Sequence, residues 1–209
     1  LQGYSVDVRG RSGLLTGDEI GQRLKFGATV NSTGLVEGGA LVSRGGQISI
    51  VAVGDASIGG RVNASAKSNG RGGNITVKTG GDINIGEAAT FTADGMGPDG
   101  AGGDVVIFAG DTLTTQDGGI FSARGAGAGD GGFIELSGEY AQIGAARYDL
   151  RSELGRAGDL LFDPIDLVID SSGSIASLGA SITLEATRSI TIASGGELDS
   201  TNGASLQAG

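Results

Sequence analysis

Paired glycines recur through this chain at a nearly constant interval, and that interval restricts the folds available to it. The pairs are Gly45-Gly46, Gly72-Gly73, Gly102-Gly103 and Gly131-Gly132, and Ala157-Gly158 continues the series. A sustained period of this length is typical of repeat proteins, in which each repeat supplies one structural unit. The sequence therefore predicts a stack of similar units.

The positions that follow each glycine pair repeat as well. Six apolar residues follow Gly73 at fixed offsets, and the same offsets after Gly103 hold apolar residues with Thr115 as the one exception. The apolar residues form pairs at i and i+2, which is the spacing of a β-strand with one buried and one exposed face. The predicted core consists of Ile48, Ile50, Ile75, Val77, Ile83, Ile85, Phe91, Val105, Ile107, Leu113, Phe121, Ile134, Leu136, Leu160, Phe162, Ile182, Leu184, Ile190 and Ile192.

Three short strands per repeat, joined by corners rich in Gly, Asp, Ser and Asn, predict one coil of a parallel β-helix. The predicted fold class is all-β, a right-handed parallel β-helix (solenoid) with about 24–30 residues per coil, because left-handed β-helices built on hexapeptides have coils of about 18 residues. An antiparallel β-sandwich could use the same strands, but it does not predict a fixed interval between equivalent residues along the chain. Gly179–Ile182 is similar to Gly203–Leu206, which predicts that Ile182 and Leu206 are equivalent positions of the last two coils.

The two parts of the chain differ in regularity. Residues 46–209 are expected to form the coils, whereas residues 1–45 are expected to form less regular coils or a cap-like leading segment. Both ends stop within the repeat pattern, and unpaired strand edges favour pairing with further strands. The expected partners are further coils of the same, longer chain, or a second copy in end-to-end self-association.

The residue types that are missing exclude several kinds of chemistry. The 209 residues include no His and no Cys, so the chain offers no His general base, no Cys nucleophile and none of the usual zinc ligands of those types. A net charge of −10 opposes binding to nucleic acid and to anionic lipid surfaces. No apolar run approaches about 18 residues, so no membrane insertion of this segment is expected.

Three sequence blocks carry a resemblance to a known family. They are GGNITVKTGGDINIGEAATFTADGMGPDGAGGDVVIF at 72–108, GAGAGDGGFIELSG at 125–138 and GRAGDLLFDPIDLVID at 155–170. Over roughly residues 45–209 the chain resembles the filamentous-haemagglutinin-like exoproteins of Gram-negative two-partner secretion systems. The family's amino-terminal secretion domain is not recognisable, so this segment is expected to be shaft.

The resemblance implies a β-helical stalk that is exported through the outer membrane by a dedicated transporter. It further implies a role in adhesion, aggregation or contact with other cells, at an extracellular or bacterial cell-surface location. The expected function is a non-enzymatic structural or adhesive shaft, with a carbohydrate or protein receptor on a host, a cell surface or a matrix as partner. The main alternative is a self-assembling extracellular matrix or surface-layer fibre protein.

An enzyme is a third, less favoured interpretation. Parallel β-helical lyases and hydrolases place carboxylates or an Arg or Lys base on an exposed sheet face, often beside aromatic residues. Here aromatic residues make up 4 % of the chain and Trp is absent. Asp163 and Asp166 flank a proline, and the favoured interpretation is that they shape a turn.

Acidic residues near the glycine-rich corners are weak candidates for a calcium site. Asp94, Asp99, Asp104 and Asp130 could supply the oxygen ligands that Ca²⁺ prefers. The tandem nine-residue motif of calcium-binding β-rolls is absent, so ordinary glycine corners are the favoured interpretation and no cofactor is expected.

Two segments and three asparagines remain as surface features. Residues 94–102 and 124–131 interrupt equivalent corners of successive repeats, so both are predicted to project from the same edge of the rod, as spacers or as a ligand surface. Asn31, Asn63 and Asn74 lie in Asn-X-Ser/Thr sequons and are candidate glycosylation sites.

Overall fold

The computed structural model describes residues 46–208, except 53, 88, 171 and 172, and the backbone of four short strands before residue 46. Among these residues the chain is an all-β parallel β-solenoid of about six turns, with about 27 residues per coil. This part of the chain contains no helix, and therefore none long and apolar enough to cross a membrane. The predicted parallel solenoid is confirmed.

Each coil gives one strand to each of three sheets. Within a coil, the chain passes from the first sheet to the second and then to the third. The first sheet contains β2 (Leu24–Phe26), β5 (Gln47–Ala52), β8 (Asn74–Thr79), β12 (Asp104–Phe108), β16 (Phe133–Ser137), β19 (Asp159–Phe162), β22 (Ser181–Ala186) and β25 (Ala204–Ala208). The second contains β1 (Ser5–Val8), β3 (Thr29–Ser32), β6 (Ala56–Ile58), β9 (Ile83–Ile85), β13 (Thr112–Thr115), β17 (Tyr140–Ile143), β20 (Asp166–Ile169) and β23 (Ser189–Ile192). The third contains β4 (Leu35–Glu37), β7 (Arg61–Asn63), β10 (Thr90–Thr92), β14 (Gly119–Ser122), β18 (Ala146–Asp149), β21 (Ser174–Leu178) and β24 (Glu197–Ser200).

Equivalent residues of successive coils lie directly over one another. Ile75 pairs with Ile48 on one side and with Val105 on the other, and the column continues through Ile134 and Leu160. All pairings described within the three sheets are parallel. The antiparallel sandwich is therefore excluded for these strands.

The inward side chains form one continuous core. The residues predicted for it from Ile48 to Leu184 are at most 3 % exposed. Ile190 is only partly buried and packs against the cluster, and the prediction is wrong for Ile192, which is 42 % exposed. Both lie in β23, the last described strand of the second sheet, and so have a neighbouring coil on one side only.

An aromatic column runs through the core beneath the third sheet. The rings of Phe91 and Phe121 stack with centroids 5.3 Å apart, and those of Phe121 and Tyr148 with centroids 5.0 Å apart. Phe162 meets Tyr148 edge-on at 5.6 Å. Tyr148 is fully buried, and this burial raises the pKa of its hydroxyl. The sequence-predicted core omitted Tyr148, although it occupies the same column.

The glycine pairs are required by close contacts between coils. A Cβ atom on Gly103 would lie 1.9 Å from the carbonyl oxygen of Gly73 in the preceding coil, and one on Gly132 would lie 2.0 Å from that of Gly103. A Cβ on Gly102, the first member of a pair, would lie 2.1 Å from the carbonyl oxygen of Ala123. No side chain fits at such distances, so Gly102, Gly103 and Gly132 are restricted to glycine.

Coil length varies at the corner between the third and first sheets. The coil from Ile75 to its partner Val105 is long because it includes segment 94–102, whereas the coil from Leu160 to its partner Ile182 is short because only 179–180 connects the two sheets there. The predicted alignment of the last two coils is wrong, because Ile182 pairs with Ala204 and not with Leu206. A shift of two positions keeps the same side chains on the inner face of a strand, so the apolar pattern alone did not reveal it.

Candidate functional site

The corner between the third and first sheets carries a loop in four consecutive coils. We call these loops, residues 65–72, 94–102, 124–131 and 151–157, the loop ridge. Each loop is closed at its base by one backbone hydrogen bond: Gly73 N donates to Ala64 O, Gly103 N to Ala93 O and Gly132 N to Ala123 O, each at 2.7 Å, and Gly158 N donates to Leu150 O at 3.0 Å. The glycine pairs therefore mark the points at which the chain returns from a loop to the coil.

Neighbouring loops of the ridge are hydrogen-bonded to each other. β11 (Asp99–Gly100) pairs antiparallel with β15 (Ala126–Gly127), and Gly70 exchanges two backbone hydrogen bonds with Met96, at 2.8 and 3.0 Å. The prediction that 94–102 and 124–131 project from the same edge of the rod is confirmed. The ridge is thus a continuous structure along one side of four coils.

A row of polar side chains joins the base of the ridge to the third sheet. Ser65 Oγ accepts a hydrogen bond from Asp94 N in the next coil, at 3.0 Å. Asp94 Oδ1 in turn accepts from Ser122 Oγ at 2.6 Å and from Arg124 N at 2.8 Å, one coil further on. These side-chain contacts connect three coils and fix the direction in which the loops leave the rod.

Three arginines surround one carboxylate at the end of this row. Asp149 is 6 % exposed, and Arg151 holds it by two hydrogen bonds, Nε to Oδ1 at 2.9 Å and Nη2 to Oδ2 at 2.7 Å. Arg147 Nη2 lies 3.8 Å from Oδ2 and Arg124 Nε lies 3.8 Å from Oδ1, which are ion-pair distances but too long for hydrogen bonds. We call Arg124, Arg147 and Arg151 the arginine cluster. With the charge of Asp149 included, the group carries a net charge of +2.

The electrostatics of the cluster keep Asp149 ionised. Burial raises the pKa of Asp149, but the hydrogen bonds from Arg151 and the charges of Arg151 and Arg124 outweigh burial, so the pKa lies below its usual value. Conversely, Asp149 raises the pKa of Arg151. Asp149 therefore offsets the charge of one of the three arginines and leaves two in excess.

A cleft of about 280 Å³ lies between the loop ridge and the arginine cluster. Its walls include Asp94, Met96, Arg124 and Glu153, so acidic and basic groups face the same space. Met96 is 47 % exposed at this cleft. The cleft itself is mixed in charge, and the exposed Arg147 lies on the neighbouring strand.

A second cleft, of about 310 Å³, lies on the outer surface of the second sheet. Asp55 and Asp82 lie at its edge, together with Thr112. Asp55 Oδ1 accepts a hydrogen bond from Asp82 N at 2.9 Å, and Asp82 Oδ1 accepts from Thr112 N at 3.0 Å. Each carboxylate thus caps a backbone amide of the next coil, which gives it a structural role.

The four acidic residues considered as calcium ligands are not brought together as one site. Asp94 belongs to the polar row, Asp104 pairs with Arg71 at 3.0 Å, Asp130 is paired within the ridge, and Asp99 lies in β11. Among the described residues, no group of three or more His, Cys, Asp or Glu is placed to hold a metal ion.

Asp163 and Asp166 have different surroundings. Asp163 is exposed, whereas Asp166 is buried and accepts hydrogen bonds from the Arg188 guanidinium and from Ser189 Oγ, the latter at 2.7 Å. The hydrogen bonds from Arg188 and Ser189 hold the pKa of Asp166 below its usual value. Asp166 therefore joins two successive coils.

The sequon asparagines take part in the fold where they are described. Asn63 Oδ1 accepts a hydrogen bond from Thr92 Oγ1 at 2.9 Å, and the Asn74 amide nitrogen donates to Asp104 Oδ2 at 3.1 Å. The side chain of Asn31 lies outside the described residues. A glycan is attached through the amide nitrogen, so one on Asn74 would compete with the contact to Asp104, whereas the contact of Asn63 uses the amide oxygen.

The arginine cluster was not identified from the sequence, although a signal for it was present. Arg147, Asp149 and Arg151 alternate along one stretch of chain. Arg124 and Arg151 are separated by the same interval as the stacked residues Phe121 and Tyr148, which pair across neighbouring strands. The period that located the core could have located the outward charges as well.

No protein-family model matches this sequence, and comparisons with curated proteins and with solved structures found no similar protein. The structure shows a β-solenoid of about six turns and identifies no family.

Proposed function

We propose that this chain is part of the non-enzymatic shaft of a large bacterial exoprotein, secreted or displayed at the cell surface, which acts in adhesion, aggregation or fibre formation. The observation that carries the proposal is the unbroken parallel register of the three sheets over about six coils. The resemblance of residues 72–108, 125–138 and 155–170 to filamentous-haemagglutinin-like exoproteins supports the same role.

The arrangement of the sheets suits a shaft. Parallel strands repeat at about 4.8 Å, so six coils extend the rod by roughly 30 Å. Sheets on three sides enclose a packed core, and bending in any direction would compress one sheet and extend another. Each coil contacts only its neighbours, so length is added by repeating the same unit.

The outer surface leaves room for contacts with other molecules. The loop ridge and the outer face of the third sheet present polar groups at fixed positions along the rod, and function is often placed on loops that a stiff scaffold carries. In the proposed role, the core supplies length and stiffness while these surfaces supply adhesion.

The proposal is tested with the purified chain coupled to latex beads. We expect the beads to attach to bacterial or host cell layers or to aggregate with one another, above the level of beads coated with an unrelated protein of similar net charge. Neither attachment nor aggregation would contradict the adhesive role. Formation of long fibres by the free chain, without bead attachment, would favour the matrix-fibre alternative instead.

The non-enzymatic part of the proposal has its own assay. The chain is incubated with acidic and neutral polysaccharides, and the products are followed by size-exclusion chromatography and by the ultraviolet absorbance of unsaturated uronides. We expect the polymers to remain intact. Shortened polymer would show that the rod is a lyase or a hydrolase.

A further inference from the structure

The arginine cluster points to a ligand class: Arg147 lies on the outer face of the third sheet, and Arg124 and Arg151 lie at the starts of two ridge loops beside it. We propose that this face binds a linear polysaccharide bearing carboxylate groups, one of which is held by Arg124, Arg147 and Arg151. The inference rests on the adhesive half of the proposed function and names the chemistry that would serve it.

The cluster has donors that the protein does not use. Neither the Arg124 nor the Arg147 side chain donates a hydrogen bond to any described residue, although each lies within 3.8 Å of an Asp149 oxygen. Arg124 Nε is buried and has no hydrogen-bond partner. A donor without an acceptor is costly, and because Nε itself is buried, a ligand would reach this guanidinium through its solvent-exposed part.

The charge of the cluster is also incompletely neutralised. Both oxygens of Asp149 are engaged by Arg151, which leaves the other two guanidinium groups without a bound carboxylate. The side chains of Arg124 and Arg147 are 44 % and 56 % exposed, so a ligand reaches them from solvent. Guanidinium groups bind planar carboxylates through two parallel hydrogen bonds, as Arg151 already does here.

A fourth arginine extends the site along the rod. Arg61, Thr90, Ile120 and Arg147 are in register on four successive strands of the third sheet. Three strand spacings separate the two arginines by about 14 Å, and the residues between them carry no charge. Ile120 is 41 % exposed and offers an apolar surface for the face of a sugar ring.

These features favour a polymer over a small anion. Ion pairs at an open surface are weak and screened by salt, so a single free carboxylate would bind poorly. A chain lying along the rod axis places several carboxylates against Arg61 and the cluster, and each contact raises the effective concentration for the next.

The same face is poorly suited to nucleic acid. Single-stranded nucleic acids are held by a basic groove combined with aromatic side chains that stack on the bases. The aromatic residues of the described third-sheet strands, Phe91, Phe121 and Tyr148, are all fully buried.

The inference is tested by isothermal titration calorimetry with galacturonic acid oligomers of about ten sugars at low ionic strength. We expect the double variant Arg124→Ala/Arg147→Ala to bind at least tenfold more weakly than the unmodified chain. Arg147→Lys should also bind more weakly, because it keeps the charge but loses the planar pair of donors. Arg156→Ala is the matched control, since it removes an arginine that is 90 % exposed on the ridge and should change the affinity less than twofold.

Circular dichroism and thermal melting establish that each variant is folded before binding is compared. Equal affinity of the double variant and the unmodified chain would overturn the inference, as would equal binding of a neutral polymer such as dextran. Equal binding of dextran sulfate or of single-stranded DNA would overturn the assignment to carboxylates and indicate a general attraction to polyanions. If binding fails while coated beads still attach to cells, the shaft proposal stands and only the ligand class is wrong.

Discussion

Replacing Phe121 with alanine removes the middle ring of the aromatic column. Phe121 is fully buried, and its ring lies parallel to those of Phe91 and Tyr148, with interplanar angles of 3° and 11°. Truncating a buried Phe to Ala costs about 3–5 kcal/mol through lost burial and the resulting cavity, and each aromatic contact contributes about 0.5–1.5 kcal/mol. Because two ring contacts are lost and the in-register coils above and below cannot close the gap, we expect a loss of about 5 kcal/mol in the free energy of unfolding.

The measurement is guanidinium chloride unfolding followed by far-ultraviolet circular dichroism, with the midpoint and the slope compared between variants. Phe108→Ala is the matched control, because Phe108 lies on the outer face of the first sheet, is 39 % exposed, and contacts Lys78 Nζ 5.0 Å from its ring centroid. That exposed contact contributes about 0.5–1 kcal/mol, so the control should lose no more than about 1 kcal/mol. A similar loss for both variants, or a loss below about 1.5 kcal/mol for Phe121→Ala, would refute the argument that the column carries the core.

Three further predictions concern the glycine pairs, the buried carboxylate and the loops. Gly103→Ala should lower the free energy of unfolding by about 3 kcal/mol or more, because its Cβ would lie 1.9 Å from a carbonyl oxygen. The control Gly86→Ala, whose Cβ would have no atom closer than 3.5 Å, should lower it by less than about 1 kcal/mol. Equal losses would show that the close approach between coils does not set the cost. The pKa of Asp149 is lower in the folded chain than its unfolded value of about 3.9, so its carboxylate contributes stability above about pH 4 that is lost as the pH falls through the folded pKa. Asp149→Asn should therefore reduce the fall in melting temperature below about pH 4. The same fall in melting temperature in both proteins would contradict this role of Asp149. Replacing residues 64–73 with the Gly-Ala dipeptide found at 179–180 should preserve the β-sheet spectrum, because the strands on either side stay paired, but should lower the free energy of unfolding by roughly 3–5 kcal/mol, since the backbone hydrogen bonds of Ala66, Gly70 and Gly72 to the next coil are lost. A loss below about 1 kcal/mol would contradict a contribution of these hydrogen bonds, whereas an unfolded product would show that the loop is needed for the coil.

The fold could be predicted because its main determinants repeat. Gly103, Gly132 and Gly158 each meet a backbone carbonyl oxygen of the preceding coil, and the i, i+2 apolar pairs of successive coils face the same core, so both leave a periodic trace in the sequence. Tyr148 escaped the prediction because the repeat offsets change after Leu136: Phe91 and Phe121 lie 18 residues after Gly73 and Gly103, whereas Tyr148 lies 16 residues after Gly132. The phase of the last coil was misplaced because a strand shifted by two positions presents an equivalent inner face.

The candidate site could be predicted only in part. The common edge of the loops followed from their equivalent positions in the repeat, but the pairing of β11 with β15 depends on backbone geometry that glycine-rich segments do not specify. The arginine cluster combines residues from two coils, and their convergence on Asp149 depends on side-chain reach as well as on register. A charged pattern on an outer face is also less constrained than a core, because solvent accepts nearly any residue there.

The hydrogen bond at the base of each loop has a consequence for engineering. It fixes the two points at which the chain leaves and rejoins the coil, so a foreign peptide grafted near the tip of a loop would keep these two points in place, although it would replace the hydrogen bonds between neighbouring loops. Peptides grafted into adjacent loops would emerge from coils about 4.8 Å apart along the rod. The corner thus offers a scaffold on which up to four guest sequences can be displayed at a set spacing.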